Sequence, residues 1–377
     1  MKIGIDTFTC EGGKAAVGVY VTQLLKRIPP SGALFELFGW DFDRFAYREA
    51  APDLEFVSQC KISGRTSNSL WHIFQYPRFA RSRSYDACFF PAAHKQLPCR
   101  SPCPAIGAVH DMAAYWGTGK TREALGAVIR MVFPNALRRL DRIIAVSNWV
   151  KQELMELVKV KESLIEVVPN GIDHTAFYPR PRNEESVVLI QPFSFRRPYV
   201  LCISRIDHPV KNHIQLIKAF AVFKEQTKYP HRLVLAGSDY HQAEKVKEAA
   251  RASPFRNDIF FTGHFPSKHL PELYAGADMV VIPSLYEGFG MSALEAMASG
   301  VPVVCARAAG LTETADTAAL YFDPQDPDDM AARMISLSTN RDIYRECRRL
   351  GIERASAFSW DRCAARTLEI IQETAGK

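Results

Sequence analysis

The sequence runs to 377 residues, too long for one ordinary core and of a size for two α/β domains. Its 47% hydrophobic and 23% charged content fits a soluble globular chain, and no apolar run nears the ~20 residues that span a bilayer. A net charge of +6 is modest; with no nucleic-acid motif and no strongly basic domain, it argues against a nucleic-acid partner.

Taken in chain order, apolar strand-like runs alternate with amphipathic helical stretches, the pattern of parallel sheets. Lys2–Asp6 opens the series with no signal-peptide pattern, so a cytoplasmic location is expected. Phe35–Gly39, Ala87–Phe90, Ala105–Val109, Arg142–Val146 and Ile165–Val168 follow as strands of a first half. Tyr199–Ser204 begins a second series, continued by Arg232–Ala236, Ile259–Thr262, Met279–Ile282 and Val301–Cys305. Between them, Tyr178–Pro198 is rich in Pro, Arg and Glu and reads as the interdomain connection. The tail from Phe358 to Thr374 is helical, with Trp360, Ala364, Leu368 and Ile371 on one face. The expected division is 1–185 for a first Rossmann-like domain, 186–357 for a second, and 358–377 for a helix packing back on the first.

Nine cysteines are scattered without C-x-x-C spacing; Cys99 and Cys103 lack a second pair, so reduced thiols and no metal site are expected. Arg78, Arg81, Arg83, Lys95 and Arg100 face only Asp86 over their stretch. The plain reading is a solvated face. The sharper one is a patch for an anionic membrane surface, at ~1 kcal/mol per cation.

The most informative stretch is Glu287-Gly288-Phe289-Gly290-Met291-Ser292-Ala293-Leu294-Glu295, which follows the strand Met279–Ile282. Strand, glycine turn and helix start together present open N–H groups and a positive helix end to an anion. Each flanking carboxylate can accept two hydrogen bonds, which suits vicinal hydroxyls. Against this stands a capping box, Ser292 with Glu295, that would only tie up the helix start. Other candidates also fall at strand ends: Gly12-Gly13, His110-Asp111, and Arg205 with Lys211 at the next helix. Two cations near a helix start can neutralise a diphosphate leaving group, and ligands of such sheets lie at the carboxyl ends of strands. Asn170-Gly171 reads as a turn.

Together these segments resemble the retaining glycosyltransferases of family 4, the group 1 type, with a GT-B fold. The matching pieces are Gly12-Gly13, Val109-His110-Asp111, Ile144-Ala145-Val146-Ser147, Val167 through Asp173, Arg205 with Lys211, Phe261-Thr262-Gly263, and the E-x7-E segment continuing to Val304. The match is weakest over 41–85. One departure is Ser204 and Lys211-Asn212, where the family often has glycine before the arginine and Lys-Gly after it.

The resemblance implies two Rossmann-like domains whose parallel sheets face across a cleft. It places Arg205 and Lys211 on the donor's diphosphate, Glu295 on the ribose and Glu287 on the transferred sugar. Backbone N–H groups of Phe289, Gly290 and Met291 would meet sugar and phosphate, with Leu294 alongside. Gly263 and His264 would border the base, His110 the reacting centre, and Gly13 the first-domain side. His110, Glu287, Arg205 and Lys211 are the expected catalytic set. No cofactor and no metal are implied, because cationic side chains and a helix end take a divalent ion's part.

The segment Arg205 to His213 looks most like polysaccharide-assembly members, many of which use GDP-mannose. Expected partners are therefore a nucleotide-sugar donor and a glycan or polyprenyl-linked glycan acceptor, with peripheral contact at the inner membrane surface. The expected reaction is hexose transfer with retention. Two alternatives stay open: a nucleotide-sugar epimerase or hydrolase of the same fold, and a catalytically inactive nucleotide-sugar-binding protein.

Overall fold

The computed structural model describes residues 1–10, 16–29, 32–59, 70–113, 133–181, 187–190 and 193–376. These divide into two units, one holding the described residues of 1–171 with 359–376, the other those of 172–358.

The first unit is built on a parallel sheet. Its strands are β1 (Lys2–Asp6), β2 (Leu34–Trp40), β3 (Glu55–Gln59), β4 (Ala87–Phe90), β5 (Ala105–Val109), β6 (Arg142–Ala145) and β7 (Ile165–Val167), in the order β3-β2-β1-β4-β5-β6-β7. Its helices are α1 (Ala16–Leu25), α2 (Asp43–Arg48), α3 (Tyr76–Arg83) and α4 (Asn148–Leu157). β4 and β5, at the middle of the sheet, are apolar and buried at every position, as strands of a parallel sheet covered on both faces are. Ser147 caps α4 by accepting from the Val150 N–H at 3.1 Å, which gives the Ile144–Ser147 motif a structural task.

The second unit carries a parallel sheet of β10 (Tyr199–Ile203), β11 (Arg232–Ala236), β12 (Ile259–Gly263), β13 (Met279–Ile282), β14 (Val303–Ala306) and β15 (Ala319–Phe322), in the order β12-β11-β10-β13-β14-β15. A separate antiparallel pair, β8 (Val187–Ile190) with β9 (Phe193–Arg196), precedes it. Its helices are α5 (His213–Thr227), α6 (Ala243–Ala252), α7 (Leu270–Gly276), α8 (Met291–Ala298), α9 (Ala309–Ala315), α10 (Pro327–Thr339) and α11 (Arg341–Ser356). One cluster of buried residues from Val200 to Cys347 forms the core around β10 and α5.

The last helix, α12 (Trp360–Ala375), belongs to the first unit. Tyr20 of α1 meets it through a 3.0 Å hydrogen bond with Thr367, and Arg27 through a 2.6 Å ion pair with Asp361. Trp360, Ala364, Leu368 and Ile371 are all buried, as the helical spacing predicts. Gly171 lies against its start so closely that a Cβ would stand 2.1 Å from the Trp360 nitrogen. Only glycine fits the Asn170-Gly171 turn there.

Several expectations need correction. β3 and β15 have no counterpart among the predicted strands, and the stretch read as a bare connection holds the β8–β9 hairpin. The strand expected from Val301 starts at Val303, because the Val301 N–H donates to the Ala296 carbonyl at 2.9 Å and closes α8, with Gly300 at φ +69°.

Candidate functional site

In the second unit, the loops after β10 and β13 carry the charged residues that the sequence singles out. Arg205 stands two residues past β10, exposed, with its guanidinium 4.4 Å from the Tyr240 ring centroid. It makes no ion pair among the described residues. The Tyr240 N–H donates to the Ile206 carbonyl at 3.1 Å, which holds the two loops in register. A cation stacked on an aromatic face keeps its N–H edge open to an incoming anion.

Lys211 sits in the turn before α5 and forms an ion pair with Glu287; the side chains are 18% and 20% exposed. The Leu285 N–H, donating to the Val210 carbonyl at 2.9 Å, ties these loops together. Asn212 takes φ 55°, the left-handed conformation that a Lys-Gly pair would also supply, and its side chain donates to the Pro324 carbonyl at 2.8 Å. The departure from Lys-Gly therefore leaves the loop shape intact. Ser204, the other departure, hydrogen-bonds through its hydroxyl to His213 Nε2 at 3.0 Å. Burial first, then Lys211, pushes the His213 imidazole down to about 3, so it is neutral.

The helix start decides between the two readings of Glu295. α8 begins at Met291 with Gly290 as its N-cap at φ +100°, and no side chain caps it. Ser292 is already inside the helix, so the capping box does not form. The first N–H groups have no intrahelical acceptor and point from the positive end of the helix. Gly290 is required by its φ, and a Cβ there would also stand 2.8 Å from Leu311 Cδ2, which would have to shift.

Glu295 instead accepts a hydrogen bond from the Tyr274 hydroxyl at 2.7 Å. Burial pushes its carboxyl up to about 7, with Tyr274 lowering it part of the way, and no cation among the described residues acts on it. The residue still keeps part of its surface open. Cys202, at the end of β10, links this corner to the ion pair: its buried thiol feels Lys211 and Glu287, while the Tyr274 hydroxyl feels Cys202.

Other predicted contacts divide. Gly263 closes β12 at φ +66°, its carbonyl accepting from the Gly237 N–H at 3.1 Å, and His264 beside it is exposed. Met291 is half-buried. Phe289 is buried edge-on against Phe358, ring centroids 5.7 Å apart, so its backbone is what it can offer. Leu294 is fully buried, a core side chain and not a surface for a ligand.

In the first unit, His110 lies just past β5 and is 8% exposed. Its Nε2 stands 3.1 Å from the Pro91 carbonyl and so carries the proton, which leaves the buried Nδ1 as an acceptor with no partner among the described residues. Burial first, then His94, pushes His110 down to about 3. His94 Nδ1 accepts from the His110 backbone N–H at 3.4 Å and its Nε2 lies 3.7 Å from Asp111. Gly12 and Gly13 lie outside the described residues.

The sequence contains two Asp-x-Asp triplets of the kind that can hold a divalent ion, and both have structural work. Asp326 caps α10 by accepting from the Asp328 and Asp329 N–H groups, at 2.9 and 3.2 Å. Asp41 accepts from Ser58 at 2.7 Å, and buried Asp43 from the Trp40 N–H at 3.2 Å. Among the described residues no helix is long and apolar enough to cross a membrane. Tyr240, Tyr274 and His94 escaped the sequence reading, since an aromatic or histidine between apolar neighbours reads as core.

Comparison with known proteins adds an independent line. The family model described as glycosyl transferases group 1 matches residues 190–354, and that for glycosyltransferase family 4 matches residues 17–176. O-antigen chain mannosyltransferase B of Escherichia coli is 30% identical over 382 residues, 98% of this chain and 98% of the relative. Sucrose-phosphate synthase from Thermosynechococcus elongatus superposes with a TM-score of 0.78 at 19% identity, covering 99% of this chain and 98% of its own. HepE of Anabaena, solved with UDP and glucose, gives 0.75 at 17% identity, covering 99% and 100%. At such identities the two structures speak for the fold.

Proposed function

We propose, for a chain that belongs to the group 1, family 4 glycosyltransferases and has their GT-B fold, that it moves mannose from GDP-mannose to a hydroxyl of a polyprenyl-linked glycan with retention of configuration. The observation that carries this reading is the Lys211–Glu287 pair of the second unit, with Arg205 and Lys211 both acting on Asp207 and with the uncapped start of α8 and Glu295 following Glu287 in the chain. A diphosphate needs cations and open N–H groups, and a ribose and a hexose need carboxylates; this corner supplies both. The similarity to an O-antigen mannosyltransferase supports the sugar and the setting.

In this reading Arg205 and Lys211 stabilise the leaving diphosphate as its charge grows, an effect worth ~3 kcal/mol for one such group. Lys211 then shares its charge between Glu287 and a phosphate oxygen, and Glu287 turns a lone pair to a sugar hydroxyl. Glu295 accepts from the ribose, while Gly263 and His264 border the base. His110, neutral and with a bare Nδ1, accepts from a sugar hydroxyl near the reacting carbon. The residues named include no enzymic nucleophile, so the acceptor attacks the face that the diphosphate leaves, through an oxocarbenium-like state, and the departing phosphate takes its proton. We place the reaction at the cytoplasmic membrane face, without a metal.

A thermal-shift screen against GDP, UDP, ADP and their sugar conjugates tests the donor. GDP and GDP-mannose should stabilise the protein, and Glu295→Ala and Arg205→Ala should abolish the shift. An unchanged shift in Glu295→Ala overturns the ribose assignment; stabilisation by UDP alone overturns the base. Transfer from GDP-[14C]mannose to a membrane glycolipid extract in EDTA, with NMR of the anomeric proton, tests the acceptor class, metal independence and retention.

A further inference from the structure

Glu295 differs from the other charged groups of its corner. Arg205 lies on an aromatic ring, and Lys211 and Glu287 neutralise one another. Glu295 has one hydrogen-bond donor, the hydroxyl of Tyr274, held on α7 with its ring fully buried. The hydroxyl also feels the Cys202 thiol of β10. From α9, α11, β13 and β14, which also pack on α8, no charged group among the described residues acts on the carboxyl.

A carboxylate with one donor and no cation is under-solvated, and it holds a proton more tightly than in water. Two hydroxyls donating to it would supply what is missing, and they favour the ionised form.

We propose that Tyr274 is the positioning residue that aims Glu295 at the donor's ribose, and that donor binding is coupled to loss of the Glu295 proton to solvent. The inference rests on the donor reading above and deepens it: the ribose diol completes a hydrogen-bond shell that the free protein leaves open. The raised carboxyl places the switch near pH 7. Below that pH the free protein holds the proton and the donor has to displace it. Above it the carboxylate already waits, oriented by Tyr274. The Tyr274 hydroxyl favours the ionised form, so its removal moves the switch to higher pH.

Isothermal titration calorimetry with GDP-mannose, whose diphosphate diester has no titrating group in the range, tests this from pH 6 to 9. Two buffers of different ionisation enthalpy report the protons released. For the wild type, binding should weaken by up to about tenfold per pH unit below about 7, with close to one proton released at pH 6 and almost none at pH 9. Tyr274→Phe keeps the ring in its packing. Its profile should shift upward by about one pH unit, so that binding is several-fold weaker at pH 7 and the gap narrows at pH 9 to the cost of the lost aim alone.

A loss of affinity in Tyr274→Phe that is the same at every pH marks a packing role and overturns the proposal, as does wild-type binding with no proton release at pH 6. Both outcomes leave the donor reading standing. Wild-type affinity in Glu295→Ala, or no binding of GDP-mannose to the wild type at any pH, overturns that reading and this inference with it.

Discussion

Two enclosed glutamates, one in each unit, show how the same side chain serves scaffold and site. Glu36 on β2 has a side chain with no exposed surface; it is paired with Lys2 at 2.9 Å and with Arg83, and it accepts from the Tyr85 hydroxyl. Against the cost of burial, those partners hold its carboxyl down to about 2. Glu295 on α8 has one tyrosine and no cation among the described residues, and burial pushes it up to about 7. Glu36 is complete and faces nothing outside the protein. Glu295 is unfinished, and an unfinished half-buried group is one that a ligand can finish.

The largest expected effect comes from removing the completed carboxylate. Glu36→Ala leaves Lys2 and Arg83 without their shared partner, although Arg83 keeps Glu55 and both cations are about a quarter exposed. We expect a loss of about 3 kcal/mol at pH 7, read from urea unfolding. The sign follows from a lowered folded pKa: the stabilisation is present above 4.5 and lost as pH falls toward 2, so the gap between variant and wild type should close in acid. A gap that stays constant from pH 7 to 3 would make Glu36 a packing residue only.

Glu295→Gln should act in the opposite direction and more weakly. A raised folded pKa costs stability that is absent below 4.5 and grows as pH rises through 7. The amide removes the charge, so the donor-free variant should be more stable than the wild type by roughly 2 kcal/mol at pH 8 and equal to it at pH 4, with the donor-induced shift lost. A stabilised variant that binds no donor is the mark of a site group. If Glu295→Gln destabilises at pH 8, the carboxylate is as well satisfied as Glu36 and the comparison fails.

The contrast between these glutamates was only partly legible in the sequence. Strand runs such as Ala87–Phe90 and Met279–Ile282 announce buried parallel strands because both faces are covered, and the sheet positions follow. β3, with its half-exposed Glu55–Gln59, lies at the sheet edge and carries no such signal. The spacing of Glu287 and Glu295 and the cations after β10 marked the charged corner. What spacing leaves open is who partners whom. Ser292 with Glu295 fits a capping box on paper, and Gly290 takes the cap because only its φ suits the turn. Tyr274 and Tyr240 reach their partners across 21 and 35 positions, a distance at which no local pattern operates. Lys2, Arg83 and Tyr85 likewise meet Glu36 only through the order of β1, β2 and β4.

The smallest effect sharpens the comparison most, because each glutamate accepts from one tyrosine hydroxyl. Tyr85 is buried at 6% exposure, stacked near Phe38 with ring centroids 6.0 Å apart, so Tyr85→Phe keeps its packing. Glu36 then still has Lys2 and Arg83, and its charge survives. The expected cost is about 1 kcal/mol, the size of one hydrogen bond to a group that keeps other partners, with nucleotide binding unchanged from pH 6 to 9. Tyr274→Phe removes the same hydroxyl from a carboxyl with no other partner among the described residues, and there the consequence is read in the pH dependence of donor binding. The redundancy at Glu36 makes its tyrosine an increment; its absence at Glu295 makes the tyrosine decisive. Should Tyr85→Phe unfold the first unit, or shift donor binding with pH, the cations do not hold Glu36 on their own.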